Sequence, residues 1–151
     1  ITFIIIYSSV FLAIFGLRNY PRQMLAGLQT YILLAMFRAT GMYLTPLESP
    51  PGMILLEDPF VTFFVHGKTP VKDLFFSGHT STMFLFFITA VNPGLKKLFL
   101  ISTIAIGSFV IIQHANYSVD VLAAQFFTYG SFRLIRSMQK HSSKGILDRE
   151  I

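Results

Sequence analysis

Apolar residues along the chain gather in five long runs, separated by short polar breaks and rich in side chains on every face of the turn. A helix that crosses a bilayer core needs roughly 17 to 25 such residues, so the runs predict helices of that kind. They cover approximately 1–17, 24–45, 78–92, 97–114 and 117–137. Pro21, the Pro93-Gly94 pair and the stretch "LESPPG" supply the breaks, because proline and glycine interrupt helices and start turns. The third run is short for a crossing, which predicts that its helix continues upstream or sits beside a thinned or protein-lined region. The first run opens inside "ITFIIIYSSVFLAIFGL" and reads as a span trimmed at its start. No repeat of fixed period occurs. The predicted fold class is all-α, a polytopic transmembrane bundle of five spans over 1–137 with a polar cytosolic tail over 138–151.

Composition agrees with a membrane setting. Of 151 residues, 53% are apolar and only 13% charged, above and well below the shares of an average soluble domain, and the mean hydropathy is +0.62. The net charge of +5 sits in short clusters, which suits membrane-flanking loops and argues against a nucleic-acid face. With no cysteine, a disulfide framework, a thiolate metal site and a thiol nucleophile are all excluded.

Lysine and arginine also set an orientation. Arg18 and Arg22, then Lys96 and Lys97, then Arg136, Lys140, Lys144 and Arg149 fall on one side of a five-span bundle, which the positive-inside rule makes cytosolic. The 46–77 connection mixes Lys68 and Lys72 with Glu48, Glu57, Asp58 and Asp73, and faces the other compartment. Parity then puts His79, at the start of the third span, and the His114–Asp120 cluster, at the start of the fifth, at one non-cytosolic level. Arg38 lies about two turns before the non-cytosolic end of the second span and reaches the same level. A charge inside a span usually faces a bundle interior or an aqueous cavity and marks function. A guanidinium, an imidazole and a carboxylate in one pocket suit a lipid phosphate: arginine grips its oxygens, histidine moves a proton, and aspartate orients an imidazole. Lys72 would help draw in the anionic headgroup. Plainer roles stand beside these: Arg38 snorkelling to the interface, Ser77 capping a helix, and Thr80 and Ser118 bonding between helices.

Three stretches carry a family resemblance. "DLFFSGHT", Asp73 to Thr80, and "HANYSVDV", His114 to Val121, resemble the paired signatures of the sphingomyelin synthases and their related proteins, a branch of the type 2 phosphatidic acid phosphatase superfamily. "FRATGMYLTPLESPPG", Phe37 to Gly52, is similar to that branch's arginine-bearing segment. The resemblance implies six spans in the family, the first of them absent from this chain. It implies a phosphotransferase in which the histidine of the second signature attacks phosphorus to give a phosphohistidine, the aspartate four residues later orients it, and the histidine of S-G-H-T exchanges a proton with the leaving or accepting hydroxyl. Such a scheme needs no metal or other cofactor. Carried onto this chain, it makes His79, Asn116 and Asp120 the catalytic positions and Arg38, His114 and Tyr117 the phosphate-binding set, to which loop charge adds Lys72, whose plainer role is a simple loop charge. The implied partners are a membrane phospholipid and a lipid alcohol such as ceramide or diacylglycerol. A homo-oligomer is compatible with the sequence.

The chain departs from the signature at one position. Aligning Tyr117 to Val121 places Asn116 where the nucleophilic histidine belongs, and an amide nitrogen is neither basic nor nucleophilic. Residues four apart share a helix face, so Asn116 keeps reach to Asp120 while stopping turnover. Asn116 is then an engineered inactivating change, the natural residue of a non-catalytic homologue, or a sign that His114 attacks instead, although six residues place His114 on the wrong face. Simple lipid phosphate hydrolysis and a non-catalytic phospholipid-binding protein remain the alternatives to headgroup transfer.

Overall fold

The computed structural model describes residues 2–44, 76–113 and 118–147. Among them are five helices and no strands: α1 (Thr2–Leu17), α2 (Pro21–Leu44), α3 (Gly78–Thr89), α4 (Pro93–Ile112) and α5 (Ser118–Leu147). The chain is all-α in these residues. Pro21 and Pro93, expected to lie in breaks, instead open α2 and α4. The first helical position has no intrahelical use for its N–H, and the fixed φ of proline suits it. Asn92 caps α4, its side-chain oxygen accepting from the Gly94 N–H at 2.8 Å.

Two boundaries differ further. The third helix does not continue upstream: it starts at Gly78, where Ser77 is extended and its side-chain oxygen faces the Thr80 N–H at 3.4 Å and the Thr80 hydroxyl at 3.0 Å. Ser77 is a cap, and its cap geometry ends the helix there. The fifth helix runs to Leu147, ten residues past the expected end of its apolar run at 137. Leaving an apolar phase does not stop a helix when Met138, Gln139 and Lys140 are good helix formers.

By length and composition, α4 is the one helix among the described residues that is both long and apolar enough to cross a membrane. α1 is apolar but has 16 residues, and α2 carries Arg22, Gln23, Gln29 and Arg38.

At 12 residues and about 18 Å, α3 is the shortest helix and the central one, packed against all four others. Met83 joins Ile6, Ile106 and Val110 in one buried cluster, and Leu85 joins Ala26 and Phe132 in another. Leu34, Phe76 and Ala124 form a third near the start of α3. The interior is rich in small hydroxyl side chains, four of which bond along their own helix, while the buried Ser131 hydroxyl has no partner among the described residues. Thr30, Thr89, Thr103 and Thr128 donate to the carbonyls of Ala26, Leu85, Phe99 and Ala124 at 2.6–2.8 Å. The exterior is the reverse, with Phe126 85% and Ile104 62% exposed among many large apolar side chains.

Candidate functional site

Three helix ends meet at one end of the bundle. α2 brings Arg38, α3 begins with Gly78 and His79, and α5 begins two residues before Asp120. Arg38 lies directly against the α3 start: a methyl built on Gly78 would overlap its Nη1 and stand 2.8 Å from its Cζ. Only a residue without a Cβ lets the guanidinium approach the backbone there. The first N–H groups of a helix carry partial positive charge, so the guanidinium and the α3 start together favour an anion.

The α3 and α5 starts are tied to each other. The Ser77 N–H donates to the Asp120 carbonyl at 3.3 Å, so the cap of one helix anchors the first turn of the other. Asp120 is 7% exposed, and its place in the first turn of α5 lets its carboxylate interact favourably with that helix's dipole. Gly107 of α4 permits close packing beneath: a Cβ on it would stand 3.2 Å from Val121 and 3.9 Å from Thr80.

Aromatic rings set the walls. Phe76 is fully buried and stacks on Phe127 at 5.3 Å between centroids, while Phe37 meets Phe127 at 6.1 Å, which joins α2, the α3 start and α5 at this level. His79 is half-buried and lies edge-on to Phe3 of α1, 5.8 Å between centroids. Such contacts restrict how a ring can turn and add to area burial.

The structure therefore brings Arg38 to the Ser77-Gly78-His79 stretch and that stretch to Asp120. Lys72, His114, Asn116 and Tyr117 lie outside the described residues. Of the plainer roles, Ser77 does cap a helix, whereas the Thr80 hydroxyl pairs with Ser77 within its own helix start and Ser118 is exposed. Sequence reading missed two residues. Phe3 shares a rim with His79, a contact between helices far apart in the chain. Gln113 ends α4 just before the second motif, and its side-chain oxygen is buried without a hydrogen-bond partner among the described residues. Its position next to "HANYSVDV" was the available signal.

Comparison with known proteins gives one match. Residues 72–138, under half of the 151-residue chain, match the family model described as PAP2 superfamily C-terminal. No curated protein and no solved structure matches. The matched segment holds α3, α4, most of α5 and both signature stretches, and leaves Arg38 outside. Over these residues the chain is similar to that superfamily, and the likeness supports a lipid phosphatase- or phosphotransferase-like function in general.

Proposed function

We propose that the chain is a polytopic membrane protein whose site, on the non-cytosolic side, grips the phosphoryl group of a phospholipid. The observation that carries this reading is the Arg38 guanidinium against Gly78, at a helix start that is hydrogen-bonded to the first turn holding Asp120. The apolar exterior over a hydroxyl-lined interior supports the membrane setting, since soluble monomers rarely expose large apolar patches.

The native chemistry of the scaffold is transfer of a phosphoryl-linked headgroup from a phospholipid to a lipid alcohol, in the manner of the sphingomyelin synthases. A histidine at position 116 would attack phosphorus and form the N–P bond as the P–O bond to the lipid alkoxide breaks. His79 would hand that alkoxide a proton, then take one from the acceptor hydroxyl as it attacks the phosphohistidine. Arg38 would balance the charge on the phosphoryl oxygens, which is where electrostatic stabilisation acts most strongly. Asn116 removes the nucleophile and leaves the grip, so this chain binds phospholipid without turning it over.

A turnover assay on the chain beside its Asn116→His variant tests this. The expected result is no transfer by the chain and measurable transfer by the variant. Release of free phosphate by the variant, without transfer, assigns the scaffold to lipid phosphate hydrolysis. Retained phospholipid binding with no turnover in either makes it a non-catalytic binding protein and overturns the transferase reading.

A further inference from the structure

An apolar groove of about 380 Å³ lies between α1, α2 and α3, with Leu17, Met24, Gly27 and Thr89 among its lining residues. It is set toward the end of the bundle remote from Arg38. Phe3, His79 and Arg38 mark the level of the candidate site, whereas the groove's nearest residues are Val10 on α1 and Tyr31 on α2. Each is seven positions away, about 10 Å along a helix. On α3 the groove reaches Thr82, one turn from Gly78.

Its other end runs into cations. Leu17 is followed by Arg18, and Met24 comes two residues after Arg22. A Cβ on Gly16 would stand 2.5 Å from Leu95, so the start of α4 packs on the end of α1 and brings Lys96 and Lys97 to the same end of the bundle. All four cations are exposed. Arg18 lies over the Phe15 ring at 4.5 Å and Lys96 over Phe87 at 5.5 Å, contacts that orient a cation without neutralising it. The only carboxylate side chain among the described residues is that of Asp120, at the opposite end.

We infer that the groove and its rim form a second lipid site. It takes an anionic phospholipid of the leaflet opposite the candidate site, with the phosphate at Arg18, Arg22 and Lys96 and an acyl chain in the groove. The inference rests on the membrane setting proposed above, but not on the chemistry at Arg38. Charge complementarity selects the occupant: a row of basic groups next to an anionic leaflet attracts its headgroups, and a zwitterionic lipid cancels much of that attraction. The volume lies within the usual range for sites that enclose much of a small ligand.

Native mass spectrometry of the purified chain in detergent, with phosphatidylglycerol and phosphatidylcholine as probes, tests the site. Phosphatidylglycerol is expected to be retained in preference. The Arg18→Gln/Lys96→Gln double variant should weaken that retention about thirty-fold, five- to six-fold for each charge. Gly27→Leu should abolish the preference for phosphatidylglycerol and leave only the phospholipid that the candidate site holds, and soluble glycerol phosphate should fail to displace the phosphatidylglycerol, because the groove holds the chain as well as the phosphate. Should Gly27→Leu lose its helical circular dichroism, the double variant, at two exposed positions, still decides the matter. Retention unchanged in the double variant, displacement by glycerol phosphate, or no retention of either lipid overturns the proposal. Retention lost on Arg38→Gln also overturns it, by assigning the groove to the tail of a lipid held at the candidate site. If Arg38→Gln leaves phosphatidylglycerol bound but abolishes phospholipid binding at the candidate site, both sites stand.

Discussion

Replacing Gly78 with alanine separates the placement of the Arg38 guanidinium from the stability of the fold. Ordinary contacts of a Cβ begin near 3.4 Å and the Arg38 Cζ would stand at 2.8 Å, so the guanidinium carbon must retreat by at least 3.4 − 2.8 = 0.6 Å, and Nη1 by more. The displaced atoms are the far end of a flexible side chain, so they yield without moving a backbone. Alanine also has less entropy to lose than glycine on entering a helix. Stability should therefore change by less than about 1 kcal/mol. Binding is another matter. A hydrogen bond to a charged group contributes about 1.5–3 kcal/mol, so a guanidinium moved off its phosphate should weaken phospholipid binding by roughly 10- to 150-fold. Titration calorimetry with a short-chain phospholipid in micelles measures the loss, and thermal unfolding followed by circular dichroism measures stability. The decisive comparison is a double-mutant cycle with Arg38→Ala. If the glycine acts through the guanidinium, Gly78→Ala has no further effect once Arg38 is gone. Equal losses in both backgrounds, or a binding loss matched by a stability loss, would refute the reasoning.

Other outcomes follow from the same geometry. Ser77→Ala removes the side-chain cap of α3 while keeping the backbone N–H that reaches Asp120, and should cost about 1 kcal/mol in thermal unfolding. An unchanged melting temperature would show that the 3.4 Å cap contributes nothing. Ile104→Arg puts a charge on the outward face of α4, near its middle, and should disfavour membrane insertion by about 2.5–3.5 kcal/mol in a glycosylation-mapping assay. Full insertion of that variant would contradict a lipid-facing exterior.

Much of the helix order could be read from the chain, because a run such as "LKKLFLISTIAIGSFVII" has no other stable form in an apolar phase. The ends were harder. Pro93 marks a helix start and a helix stop with the same letter, and Asn92 decides between them through a hydrogen bond that sequence alone does not show. The end of α5 was hidden because polarity records where a helix leaves the apolar phase and not where its hydrogen bonds cease. At the candidate site, counting spans put Arg38, His79 and Asp120 at a common depth. It did not reveal that Gly78 is the surface on which the guanidinium rests, since that contact depends on how α2 leans on α3. The groove is similarly absent from any one segment: its walls belong to three helices.

The guanidinium comes from α2, yet both signature stretches lie within residues 72–138. On the proposed function, a fragment confined to the matched segment would keep His79 and Asp120 and still be chemically incomplete, an anion site without its cation. Supplying residues 1–71 as a separate polypeptide should restore what the fragment lacks, and a helical hairpin from elsewhere, carrying its own arginine at another height, would retune the same machinery for a differently sized headgroup.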